Sequence, residues 1–190
     1  MLGFRTDGVH LVSAPDSLKT KLKNKNIPLV TGVTGNTLVF AINNPEVVVK
    51  RVYAPSFMAG DSPWFVCVLG DFPAPTDNTL AFDTEDDLAD FITAMYYASQ
   101  GFLHLDFELS DFKMQFCASH GKIRVYEEKD FPAIPKEAFV ACFCFSNGGF
   151  MESDRLFLKL SKECGLDMGR ILLMGTFDSK YNYTRGFVIS

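Results

Sequence analysis

The sequence predicts an α+β fold: a mixed, mostly antiparallel sheet with two main helices packed on it. Two segments, 84–100 and 153–164, carry apolar residues at helical spacing. Many short apolar or alternating runs, each bounded by turn residues, read as strands. The chain is 190 residues long, 47% hydrophobic and 14% aromatic, with 19 Phe, which is ample for a core and excludes disorder as the main state. One globular domain, 1–190, is expected.

The elements follow in chain order. Ser13-Ala14-Pro15-Asp16 reads as a helix start, and Leu18 and Leu22 carry a short helix to about Lys25. The alternation of Lys19, Lys21, Lys23 and Lys25 would equally suit a strand. Short strands are expected at 27–31, 37–42 and 46–53, the last two joined by Asn43-Asn44-Pro45. Ser62-Pro63 precedes a strand at 64–69, and a Pro- and Asp-rich loop covers 70–78. Thr84 is a good N-cap for the clearest helix, with Asp87 at the capping-box position. Leu88, Phe91, Ile92 and Met95 mark its buried face, and Gly101 suits its end. A strand at 102–107 follows. Segments 112–117 and 122–126 read as a hairpin around Ala118-Ser119-His120-Gly121. The run 138–145 is nearly all apolar, as befits a central strand covered on both faces. A helix at 153–164 stops at Gly165, and strands at 171–174 and 181–189 complete the set.

Arg51-Val52-Tyr53 recurs as Arg124-Val125-Tyr126, and each copy precedes an apolar strand, a helix and another strand. The order β-β-β-α-β over 37–107 and 112–176 fits a tandem duplication. It also fits ordinary alternation of elements with a chance tripeptide.

Charge is unevenly placed. The net charge is −5, yet the stretch from Val52 to Phe112 holds eleven acids and neither Lys nor Arg. Such segregation can steer a charged partner, and it disfavours nucleic acid, whose phosphates it repels. Glu85, Asp86 and Asp87 suit the N-terminus of a helix dipole. Asp90 repels Asp86 one turn away, so the helix itself has no use for it.

Five cysteines, an odd number, with no secretory signal at the start suggest a reducing cytoplasm. Cys142 and Cys144 would share one strand face; their spacing suits neither a redox pair nor half of a zinc site. No apolar run is long enough for a membrane helix.

Chemical motifs are sparse. His104, Asp106 and Glu108 alternate on one strand face, as metal ligands or as its solvent side. Ser146-Asn147-Gly148-Gly149 is a Gly-rich turn before a helix, without the lysine of a phosphate loop. The strand–loop–helix–strand that contains it is distantly similar to GNAT acyltransferases, but their pyrophosphate-binding loop is absent. Asp111 and Glu127-Glu128-Lys129 would meet on adjacent strands. An Asp plus Glu-x-Lys so placed resembles the metal site of the PD-(D/E)xK nucleases, which implies carboxylates holding Mg²⁺ and a lysine positioning the attacking water.

Two functions are therefore expected. The first is a non-enzymatic protein-binding or assembly module, of the kind a virus encodes for structural or host-interacting roles. It would present Asp83, Glu85, Asp86, Asp87 and Asp90 to a basic protein surface or to a second copy, without cofactor or metal. The second is a small metal-dependent hydrolase or nuclease using Asp111, Glu127 and Lys129. In self-assembly, the Lys19–Lys25 strip of one copy would meet the acidic face of another.

Overall fold

The computed structural model describes residues 6–34, 36–43, 65–70, 79–100, 116, 121–147, 150–176 and 180–189. It is an α+β fold built on one eight-stranded mixed sheet. The strands are β1 (Gly8–Val12), β2 (Thr37–Ile42), β3 (Phe65–Leu69), β4 (Thr79–Phe82), β5 (Lys122–Glu127), β6 (Phe139–Phe145), β7 (Ile171–Thr176) and β8 (Tyr183–Ile189). The helices are α1 (Asp16–Asn24), α2 (Glu85–Ala98) and α3 (Phe150–Leu158), the last extended by a π-helical turn, Lys159–Glu163. Short 3-10 turns occupy Glu128–Ala133 and Met168–Arg170. Among the described residues, no helix is long and apolar enough to cross a membrane.

The sheet order is β1-β2-β3-β4-β5-β8-β6-β7. Neighbours from β1 to β5 are parallel, as are β6 and β7. β8 is antiparallel to both β5 and β6, so the other seven strands share one direction. The expected balance of pairings is thereby corrected: the sheet is mixed but mostly parallel. Among the described residues, β2 pairs with β1 and β3, and β5 with β4 and β8. Residues 46–53 and most of 112–117 lie outside the described residues, as does the strand expected at 102–107.

The two faces are distinct. Phe40, Phe65, Phe82, Phe143 and Phe187 share one face and pack beneath α1 and α2. Phe91 of α2 is the hub, making edge contacts to Phe40, Phe65 and Phe187 and a tilted contact to Phe82. Val140, Cys142, Cys144 and Val188 lie on the opposite face, under Leu156 and Leu160 of α3 and its extension. Helices on both faces explain why β6 is apolar at nearly every position. The crossovers β1–α1–β2 and β6–α3–β7 step the same way along the sheet but use opposite faces. They are therefore of opposite hand, and one departs from the usual right-handed preference.

Several local expectations hold. Thr84 caps α2, its hydroxyl oxygen accepting from the Asp87 amide. Gly165 ends the last helix with φ +71°, a conformation that favours glycine. Pro15 immediately precedes α1 and serves as its N-cap. The segment 27–31 is reduced to one bridge, Leu29 against Val9. This bridge and the Val9 amide bond to the Pro28 carbonyl cover the outer side of β1.

Candidate functional site

The proposed acidic face is built where α1 lies against α2. Short-range sequence explains each helix, and the pairing of their charges explains the contact. Lys21 donates to Asp86 at 2.5 Å and Lys25 to Asp90 at 2.8 Å. Two of the four lysines thus meet the acids within one chain. A third, Lys19, folds back on Asp16 at 2.9 Å.

The other acids also have internal partners. Glu85 accepts a 2.7 Å bond from the Ser17 hydroxyl. Asp83 pairs with Lys122 and Arg124 of β5 at 3.0 and 3.1 Å. The Lys122 ammonium, with Arg124 adding to it, holds the Asp83 carboxyl below the usual carboxylate range. Asp87 accepts from the Thr84 hydroxyl at 2.6 Å and from the Val125 amide of β5 at 2.8 Å. It bonds back to the N-cap hydroxyl and ties α2 to the sheet.

Asp90 joins three elements. Beyond Lys25, it faces Arg185 of β8, whose Nε lies 3.7 Å from Oδ2. That Nε is buried without a hydrogen-bond partner. The same guanidinium donates to Glu127 at 3.3 Å and lies over the Tyr183 ring at 5.0 Å. Tyr183 in turn donates its hydroxyl to the Asp90 carbonyl at 2.9 Å.

The residues of the alternative, hydrolytic reading stand as follows. Glu127 and Lys129 form an ion pair at 2.9 Å, which lowers the carboxyl's proton affinity and raises the amine's. Asp111 lies outside the described residues, as do His104, Asp106, Glu108, His120, Gly148 and Gly149. Among the described residues, no group of three or more His, Cys, Asp or Glu is gathered for a metal ion.

A second charged cluster escaped the sequence reading. Glu128, just after β5, takes a two-pronged bond from Arg155 of α3 at 2.7 and 3.0 Å and a third from Lys159 at 2.9 Å. Glu152 binds the remaining side of Arg155. Bonding to Arg155, reinforced by Lys159, brings the Glu128 carboxyl down to about 2. The signal available was Glu152, Arg155 and Lys159 on one helical flank; their partner, 24 or more residues away, was not legible.

This cluster orients α3 and so defines a third surface. Glu128 lies toward the middle of the sheet, so the flank with Glu152, Arg155 and Lys159 faces inward. Ser153, Leu156 and Leu160 are buried toward the strands. Helical spacing then places Asp154 and Ser161 toward the flank beside β7, while Leu158, two residues from both Leu156 and Leu160, lies on the outer face of the helix. β7 is the last strand of the sheet and, among the described residues, pairs only with β6. It contains no charge and no proline. Met151 and Leu158 on the outer face of α3, and Met168 three residues before β7, are 81%, 46% and 65% exposed. These are three of the four exposed large apolar side chains among the described residues, and neither periodicity nor charge had singled them out. Compared with protein-family models, with curated proteins and with solved structures, the chain matches none.

Proposed function

We propose that this chain is a non-enzymatic protein-binding and assembly module whose docking element is the outer edge of β7 with the outer face of α3 above it. One observation carries the reading: an uncharged edge strand whose outer side pairs with no described strand follows exposed Met168 and lies under α3, whose outer face exposes Met151 and Leu158. Edge strands are templates for a further strand, and natural proteins usually blunt them with charge, proline or a covering segment. β1, at the other edge, has such a cover; β7 has none among the described residues.

The acidic helix supports this reading less well than its sequence suggested. Asp83, Glu85, Asp86, Asp87 and Asp90 are all engaged within the chain, so a basic partner would have to displace Lys21, Lys25, Lys122 or Arg124. A reducing, cytoplasmic setting is part of the proposal, supported by Cys67, Cys142, Cys144 and Cys164, which are buried free thiols.

The test is retention of a protein ligand on the immobilised chain, compared with its Leu158→Arg variant. Retention should persist at high salt, as apolar docking does, and should be lost in the variant while its melting temperature stays unchanged. Retention by both proteins alike, or by neither, would overturn the reading. Release at moderate salt that follows Asp86→Lys, and not Leu158→Arg, would return the function to the acidic face.

A further inference from the structure

We infer that Tyr97 and Tyr181 are a site of oxidative cross-linking, at which a peroxide-driven one-electron oxidant joins the two rings as dityrosine and fastens α2 to the strand that closes the sheet. The inference stands apart from the docking reading above and uses none of its residues.

The two rings already meet. Tyr97, in the last turn of α2, stacks on Tyr181 with centroids 3.8 Å apart and planes 15° from parallel. That separation is an ordinary contact distance between ring carbons, about 3.5–4.0 Å. Both side chains are half-buried, so packing holds the pair while it still reaches solvent.

Tyr97 also touches Tyr96 and Tyr183, and neither is as well placed. Tyr96 is its neighbour in the helix, with centroids 6.2 Å apart, and adjacent helical residues do not face each other. Tyr183 is buried, stands 86° from the Tyr97 plane, and donates its hydroxyl to the Asp90 carbonyl at 2.9 Å.

The chemistry balances with one peroxide. Each phenol gives one electron to the oxidant and its hydroxyl proton to water. The two phenoxyl radicals form one carbon–carbon bond between ring positions next to the oxygens. The hydrogen on each joined carbon leaves as a proton and each oxygen takes one up, which restores both phenols. Hydrogen peroxide, acting through a haem peroxidase, accepts the two electrons and two protons and becomes two waters. The chain loses two hydrogen atoms and nothing else. Rings already in face contact need only tilt and slide for this bond to form.

Position gives the bond its consequence. Tyr181 lies two residues before β8, which runs between β5 and β6. A bond to Tyr97 would tie that strand to the helix whose Phe91 packs on Phe40, Phe65, Phe82 and Phe187. The described thiols Cys67, Cys142, Cys144 and Cys164 are buried and so compete poorly for the oxidant. Thiols do not reverse a carbon–carbon bond, so the link would last in a reducing setting where a disulfide would not.

The test is treatment of the dilute whole chain with hydrogen peroxide and a haem peroxidase. The single-chain band should gain the blue fluorescence of dityrosine, and peptide mapping should join the segment with Tyr97 to the segment with Tyr181. Closing a loop from 97 to 181 should raise the melting temperature by about 5–10 °C. Tyr97→Phe and Tyr181→Phe each keep a ring for the stack, so both variants should keep the circular dichroism of the unmodified chain and lose all three effects. Tyr96→Phe and Tyr126→Phe should retain them. Oxidation of exposed Met151 or Met168 adds oxygen but joins no peptides, so mapping separates it. A single chain without dityrosine would overturn the inference; so would dityrosine that survives Tyr181→Phe or that links only separate chains.

Discussion

Lys25, at the end of α1, donates to the Asp90 carboxylate of α2 at 2.8 Å, and Arg185 of β8 reaches the other oxygen of the same carboxylate. One acid therefore holds a helix pair to the central antiparallel strand. Its side chain is only 17% exposed, against 79% for Asp86 one turn earlier.

That difference sets the first expectation. Asp90→Ala leaves the half-buried Arg185 guanidinium without its facing carboxylate and Lys25 without its acceptor, which costs about 1–3 kcal/mol. Asp86→Ala removes an exposed pair and should cost under about 0.5 kcal/mol. Urea unfolding of the two variants checks the ranking. A Lys25/Asp90 double-mutant cycle should show coupling where a Lys21/Asp86 cycle shows little. Reversing Asp86, Asp87 and Asp90 together to Lys should lower the unfolding midpoint strongly.

Asp87 makes the second. Its carboxylate accepts from both Thr84 and the Val125 amide, so Asp87→Ala leaves an amide of β5 without its partner. The loss should be about 1–2 kcal/mol, and Thr84→Ala about 1 kcal/mol. Because both share the Thr84–Asp87 hydrogen bonds, the double variant should cost less than the sum. Guanidinium unfolding monitored by helical circular dichroism measures all three.

Glu128 gives a pH dependence. Its folded carboxyl titrates at about 2, well below its ordinary 4.5, because Arg155 and then Lys159 bind the charged form. The unfolded chain therefore takes up the proton first as pH falls. The stabilisation is complete above about pH 5 and is lost progressively toward pH 2. The group is partly exposed, so the contribution is about 1–2 kcal/mol. Glu128→Gln should flatten the stability profile between those limits and leave the slope near neutrality unchanged.

Cys142 is fully buried and its thiol is pushed far above the ordinary range by that burial, with Cys144 adding to it. Thiolate is the reactive species, so maleimide should label Cys142 only when the sheet opens. Peptide mass mapping should show Cys142 unmodified in native protein and modified in denaturant. Prompt native labelling would mean that the face beneath α3 is open.

The legible parts of the fold were those written in local sequence. The N-cap Thr84 with Asp87 three residues on, and the stripe Leu88, Phe91, Ile92, Met95, give α2 almost to the residue. The apolar run gives β6 and its burial on both faces. Strand pairing was not legible, because a parallel neighbour is set by a remote segment and leaves no turn signature. β1 and β4, five and four residues long, carry too few positions to show a period. The acids of α2 were legible as a cluster, and so was their complementarity to the lysines of α1. What the sequence could not show is that a separation of 65 residues closes within one chain. Asp90 was singled out because its own helix does not need it; the need comes from α1 and β8.

The position of β8 bears on how the molecule is made. It is the last of the eight strands in the chain, yet it lies between β5 and β6. Vectorial synthesis thus delivers the sheet as two leaves, β1 to β5 and β6 with β7, that share no strand pairing among the described residues until residues 183–189 emerge. Until then β5 and β6 each present an unpaired edge to the surroundings, and the nascent chain is at its most vulnerable to mispairing. Closure by β8 joins β5 along Ile123–Glu127 and β6 along Phe139–Phe145 in one step. A chain cut before Tyr183 would keep most of its residues and lose the seam that makes them one sheet.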